Sequence, residues 1–392
     1  MRPLDGITVL TLEQAVSGPF ATRHLADLGA RVIKVERPDG GDFARGYDET
    51  VRGLSSYFVW INRSKESLTL DLKHPRAKEI TERLLGRADV FVQNLAPGAT
   101  GRLGLGSAEL LRRHPRLILC DISGYGDGGP YRDKKAYDLL IQSEAGLLSI
   151  TGTPDTPSKA GISIADIAAG MYAYSGILGA LYQRERTGKG MRIEVSMLEA
   201  LGEWMGFPLY YAHYGAAAPP RTGASHATIY PYGPFRTGDG KSVMLGVQNE
   251  REWTAFCDSV LGCPEMARDT RFDSNSRRVT NKEALVCAID RVFSGLTAEE
   301  VVTRLEAAQI ANARINDMEE VWNHPQFAAR GRWREVQTPV GTISALLPPA
   351  TLSTCEARMG GVPALGEHTD TVLSELGFNT EEIRRLRAEA VV

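Results

Sequence analysis

The sequence predicts a mainly parallel α/β sheet domain joined to a smaller α+β domain, and three observations carry that expectation. Up to Ser196, short apolar runs alternate with amphipathic helical stretches, the pattern of strands linked by crossover helices. Between residues 207 and 233 the texture changes to Tyr, Pro, Ala and Gly without a clear period. A chain of 392 residues also exceeds the ~100–200 residues of one ordinary domain and is long enough for two.

Taken in order, residues 7–12 read as a strand and 20–28 as a helix closed by Gly29, with a second strand at 31–36. The unit repeats with a strand at 68–70, a helix at 77–85, a strand at 89–92, a helix at 108–113 and a strand at 117–122. A long helix is expected over 167–184, stopped by Thr187-Gly188-Lys189-Gly190, with a strand at 192–196 after it. Further on, two short strands flank Asp239-Gly240, a strong local hairpin signal. Helices from about Glu250, Lys282 and Ala298 follow, the last with the Thr297/Glu300 spacing of a capping box. Past Arg330 the pattern returns to strands and a closing helix after Asn379.

Composition narrows the function classes. Apolar and charged fractions of 43% and 24% are those of an ordinary globular protein. A net charge of −3 with scattered basic residues argues against nucleic acid as a partner. The first residues lack the pattern of a signal peptide, and no stretch reaches the ~18 apolar residues of a membrane span. Five cysteines without a CxxC fit free thiols in a reducing cytoplasm. The seven histidines never fall at i, i+3 or i+4, so no dedicated metal site is expected.

Several stretches offer chemistry. Residues 13–19 form the first strand–helix junction without a G-x-G-x-x-G, so the dinucleotide fingerprint is absent there. The junction still reads either as a plain turn or as backbone brought close to a ligand. Arg37 follows the second strand, at the edge where such sheets bind ligands, and a guanidinium there can clamp a phosphate. Lys73, Arg102 and Lys135 hold comparable places, and each also reads as a solvated surface cation. Residues 124–131 are a glycine-dense loop, either a cofactor wrap or a wide turn. Asp166 stands between small and apolar residues beside the long helix. It reads as that helix's N-cap, a role compatible with reactivity, since a helix N-terminus stabilises a carboxylate.

Together these stretches resemble the family III CoA-transferases, the group of formyl-CoA and carnitine CoA-transferases. The likeness spans nearly the whole chain, through PLDGITVL (3–10), SGPFATRHLADLGARVIKVERP (17–38), DVFVQNLAPGATGRLGL (89–105), HPRLILCDISGYGDGGPYRDKKAYDLLIQSEAG (114–146), GISIADIAAGMYA (161–173) and TGKGMRIEVSMLEA (187–200). It implies a Rossmann-like large domain built from both ends of the chain, a small α+β domain between them, and an interlocked homodimer. The boundaries expected are 1–205, a linker at 206–230, the small domain at 231–325, and a return to the large domain at 326–392. By the same resemblance Asp166 is the catalytic nucleophile. Val16, Ser17, Arg37, Leu70, Asp71, Leu72, Lys73, Asn94, Leu95, Ala96, Arg102, Lys135, Ala136, Tyr137 and Asp138 match the positions that contact CoA.

The partners implied are an acyl-CoA, a small carboxylic acid and a second copy of the chain, with no cofactor beyond CoA as co-substrate. The overall pattern is similar to the branch handling C4–C5 dicarboxylic groups such as succinyl. Arg45, His226 and Gln248 are the candidates for the acyl pocket, although His226 reads equally as a loop histidine bonded to backbone. Val16 stands where some members acting on very small acids have glutamine, which points away from a formyl/oxalate pair. Residues 246–249 read GVQN instead of a run of glycines. An α-methylacyl-CoA racemase shares the fold, but such an enzyme needs two proton-transfer groups, and Tyr137 stands where that branch has histidine. A non-catalytic CoA-binding module is the third reading.

Overall fold

A computed structural model describes residues 1–215 and 217–392. They form two compact units, one of Met1–Ala145, Ala160–Gly206 and Gln326–Val392, the other of Gly146–Lys159 and Phe207–Pro325.

The first unit is built on β1 (Thr8–Leu12), β2 (Arg31–Glu36), β3 (Lys65–Thr69), β4 (Val90–Gln93), β5 (Ile118–Ser123) and β6 (Arg192–Ser196). They lie in the order β3-β2-β1-β4-β5-β6 with every pairing parallel. The order changes direction between β1 and β4, and in open parallel sheets ligands bind beyond the strand C-termini at such a switch point.

Strand alternation gives β1–β3 two unlike faces. Leu10, Leu12, Ile33, Val35, Leu68 and Leu70 enter an apolar core completed by the helices Thr369–Glu375 and Thr380–Ala388. Thr11, Lys34, Glu36, Lys65 and Ser67 are equally buried but occupy the alternate, polar positions. Register sets Lys34 beside Thr11 and Ser67.

Three helices position the site: α1 (Ser17–Asp27) after β1, α2 (Asp138–Glu144) beyond β5, and α3 (Ile164–Thr187) before β6. α3 extends past both ends of the expected 167–184. It closes at Gly188, whose φ is 70° and whose N–H bonds the Arg184 carbonyl. The expectation that no stretch could span a membrane is corrected here. α3 is long and apolar enough to do so by length and composition. Its apolarity comes from interspersed Ala, Ile, Leu and Gly without one unbroken aliphatic run. Here its Ala169, Ala173, Ile177 and Ala180 are buried, and the helix packs on α1, β5 and β6.

The second unit holds an antiparallel sheet of β7 (Tyr232–Arg236), β8 (Ser242–Gly246) and β9 (Ala311–Arg314). β7 and β8 form the hairpin signalled by Asp239-Gly240, with Gly240 at φ 79°. Phe235, Val243, Leu245, Trp253, Phe256 and Leu285 share its core. The Thr297/Glu300 capping box is present. Where an irregular linker was expected, Gly206–Gly215 is helical. Pro208 falls in its first turn, where proline is tolerated; Phe207, Tyr210, Tyr211 and Tyr214 share one face at i, i+3, i+4 and i+7, and apolar Leu209 and Ala212 opposite them blur the period.

Candidate active site

The C-terminal end of β1 runs into residues 13–16, a loop fixed from two sides. Asn94, just past β4, accepts from the Gln14 N–H at 2.8 Å and donates to the Gln14 carbonyl at 2.8 Å and the Ser17 hydroxyl at 3.1 Å. Asp42 accepts from the Ala15 N–H at 2.9 Å. Ala15 is left-handed, at φ 60°, a conformation costing a non-glycine residue ~1 kcal/mol or more.

Asp42 is held in turn by the Lys34 ammonium at 2.6 Å. Lys34 and Lys65 also reach Glu13, at 3.4 and 2.7 Å, and Thr11 and Thr22 donate to its other oxygen. Burial alone would raise the Glu13 carboxyl, but the two ammoniums hold it down at about 2. Burial lowers Lys65 to about 8 against the opposing pull of Glu13. The buried network thus fixes the backbone whose next residues open α1.

α3 brings Asp166 to that point. Gly170 allows the approach: a Cβ there would lie 2.8 Å from the Ser17 carbonyl oxygen and 3.0 Å from the Phe20 ring. One turn earlier, the Asp166 carboxyl is set against Ser17 at the positive end of α1, and the Ser17 hydroxyl and N–H pull its pKa down. Burial and the nearby Asp138 charge outweigh these donors and push the Asp166 carboxyl up to about 7. Asp166 is not the N-cap of its helix. It is the third residue of α3, the N-cap Ser163 makes no side-chain bond, and Asp138 accepts from the Ala165 and Asp166 N–H groups at 2.8 and 3.3 Å. A half-buried carboxyl of raised pKa, facing a helix N-terminus at the sheet's switch point, is arranged for chemistry on a carboxylate.

The sequence matches CoA-transferase family III over residues 4–369. The chain belongs to CoA-transferase family III. It is 35% identical to succinyl-CoA:glutarate CoA-transferase of Mus musculus, over 100% of this chain and 91% of that protein. It is 38% identical to acetyl-CoA:oxalate CoA-transferase of Acetobacter aceti, over 84% of each. The crystal structure of a CaiB/BaiF family protein from Brucella suis superposes with a TM-score of 0.84 at 32% identity, covering 96% of this chain and 99% of that one.

In this CoA-transferase family enzyme the remaining candidates follow the C-terminal ends of successive strands. Val16 and Ser17 follow β1, Arg37 follows β2, Leu70, Asp71, Leu72 and Lys73 follow β3, and Asn94, Leu95, Ala96 and Arg102 follow β4. Lys135, Ala136, Tyr137 and Asp138 come after β5. Val16 and Leu70 are buried, so they can offer a ligand only backbone. Arg37, Lys73, Arg102 and Lys135 are exposed, and among the described residues none forms an ion pair. Arg37 bonds the Gly41 carbonyl and lies 4.8 Å from the Phe43 ring centre.

The acyl-pocket candidates sit differently. The Arg45 guanidinium is engaged twice by Glu36, at 2.8 Å each, and stacks 3.8 Å over Phe58. His226, in the second unit, accepts at Nδ1 from the Thr228 and Ile229 N–H groups and stacks on Tyr232. Gln248 is exposed, with its N–H on Glu252. The exposed Tyr47 also senses Asp166: its phenol is raised by desolvation and by the charges of Asp42 and Asp166. The glycine-dense loop is tied to β6 by Arg192, which pairs with Asp127, and by Glu194, which accepts from the Asp127 N–H.

Residues that the sequence did not flag include Glu13, Lys34, Asp42, Lys65 and Gly170. The available signal was Lys34 and Glu36 at alternate positions of the otherwise apolar VIKVE strand. Charges inside a central strand imply buried partners.

Proposed function

We propose that the chain moves CoA from succinyl-CoA or another C4–C5 dicarboxylyl-CoA to a carboxylic acid through an aspartyl-CoA thioester on Asp166. The observation that carries this reading is the Asp166 carboxyl brought against Ser17 at the N-terminus of α1 by the close approach of α3 at Gly170. An Asp166 oxygen attacks the thioester carbonyl, expelling CoA thiolate and leaving a mixed anhydride. The thiolate attacks the Asp166 carbonyl carbon, releasing the donor acid and forming the thioester. An acceptor carboxylate then attacks that thioester, expelling the thiolate and giving a second anhydride. Thiolate attack on the acceptor's acyl carbon yields the new acyl-CoA and frees Asp166. Negative charge leaves Asp166 in the first step, builds on its carbonyl oxygen in the second and third, where its own carbon is attacked, and returns to it in the fourth, so Ser17 at the N-terminus of α1 stands where that charge must be stabilised. Only acyl bonds are exchanged, so no electron transfer is required.

The dicarboxylate part rests on the mouse relative, whose name pairs two dicarboxylic acids. The Acetobacter relative, whose donor is acetyl-CoA, defines the competing substrate class. A panel of acetyl-, butyryl-, succinyl- and itaconyl-CoA against glutarate, succinate, mesaconate, citramalate, oxalate and formate should turn over fastest with a dicarboxylyl pair. A faster monocarboxylyl pair overturns the substrate class alone. Hydroxylamine added with acyl-CoA should convert Asp166, and no other residue, to its hydroxamate. D166A should lose several powers of ten in rate, each about 1.4 kcal/mol of barrier.

A further inference from the structure

The start of α3 is held from outside its own helix. Asp138 lies 27 and 28 residues before the two N–H groups it accepts, those of Ala165 and Asp166. Its other oxygen accepts from the Gln142 amide at 2.6 Å. Gln142 is fully buried, and its orientation is fixed because the Ala160 N–H donates to its carbonyl oxygen at 2.9 Å. Its amide nitrogen must therefore face Asp138 and the Ile162 carbonyl. One carboxylate and one amide on α2 thus seize the chain entering α3 at residues 160, 162, 165 and 166.

From these contacts we infer that Asp138 is a positioning residue for the nucleophile, seating the first turn of α3 so that the Asp166 carboxyl meets the N-terminus of α1, and setting a negative charge beside it. The inference rests on Asp166 being the nucleophile. It gives Asp138 a role distinct from contacting CoA. The groups that bear electrostatically on Asp166 are Ser17 from α1, Asp138 from α2 and the exposed Tyr47 phenol. Among them Asp138 alone brings a like charge, and it adds to burial in raising the Asp166 carboxyl to about 7.

Two variants separate seating from charge. D138N keeps an oxygen for the Ala165 and Asp166 N–H groups, though its amide nitrogen meets that of Gln142, and it removes the charge. D138A removes both. In D138N the acid limb of the kcat/KM profile should move down by about one pH unit, because a like charge near a carboxyl raises its pKa. D138A should lose roughly 100-fold in kcat, the scale of a small misplacement of reacting groups. KM for acyl-CoA should change less than about threefold in both, since the loss falls on the reacting geometry. An unmoved acid limb in D138N, or a tenfold rise in KM with kcat retained, overturns the inference. Carbon-13 NMR titration of Asp166, assigned with D166N, tests the charge effect without turnover. A D138N spectrum titrating as wild type refutes it even if D138A does not fold. The same titration stands if the transferase assay finds no activity, so failure of the functional reading is distinguishable.

Discussion

Asp166 binds its proton more tightly in the folded chain than an ordinary aspartate does, and this has a thermodynamic consequence. Its carboxyl is raised from 3.8 to about 7, first by burial and then by Asp138. The folded state therefore holds more protons than the unfolded chain between those values, so stability falls as pH rises through that window. Ionising the group in place costs ~4 kcal/mol by this linkage. The variant D166N, neutral at every pH, should be more stable than wild type at pH 8 by about 2 kcal/mol or more. The gap should shrink steadily as pH falls from 7 toward 4. Urea titrations at three pH values measure it, and a gap independent of pH would exclude a half-buried, proton-loving Asp166. Such a cost is retained where function uses the charge.

The strands β1–β3 show how one element serves two purposes. Their apolar positions anchor the sheet, while the alternate positions carry Lys34, Glu36 and Lys65 toward the loop that opens α1. K34M should destabilise the chain by about 3–5 kcal/mol, because it leaves Asp42 buried without its ammonium. It should also lower kcat, since Asp42 holds the left-handed Ala15. A loss under ~1 kcal/mol in chemical denaturation contradicts this account.

Much of this scaffold was legible: residues 31–36 and 77–85 fall where periodicity put them, and Asp239-Gly240 turns a hairpin. Legibility failed where tertiary contact overrode local pattern. The N-cap reading of Asp166 was local and reasonable, but the partner of those N–H groups is Asp138, far away in sequence. In the helix Gly206–Gly215 the Phe207/Tyr210/Tyr211/Tyr214 stripe was hidden by Leu209 and Ala212 on the opposite side and by Pro208. Arg45 stood as an acyl-pocket candidate because nothing in the sequence shows that Glu36 holds it.

At the scale of the whole molecule, charge is distributed by sheet polarity. Arg37, Arg102 and Lys135 all lie past strand C-termini and are exposed, and among the described residues none of them forms an ion pair. Their Ala variants should raise KM for acyl-CoA more than they lower kcat, because a phosphate contact holds a part of the substrate that does not react. Added salt should weaken wild-type binding more than that of the variants. Unchanged KM in all three would put the phosphates elsewhere. The sheet also has a temporal property. Its apolar face over β1–β3 is completed by Val372, Leu373, Leu376, Ile383 and Leu386. A ribosome adding ~5–20 residues each second reaches these residues on the order of tens of seconds after it has made β2. Through that interval part of the oily side of the first three strands has no cover. The nascent chain is then a client for any chaperone that holds extended apolar segments, and slower elongation, which lengthens the interval, should cost soluble yield before it costs activity.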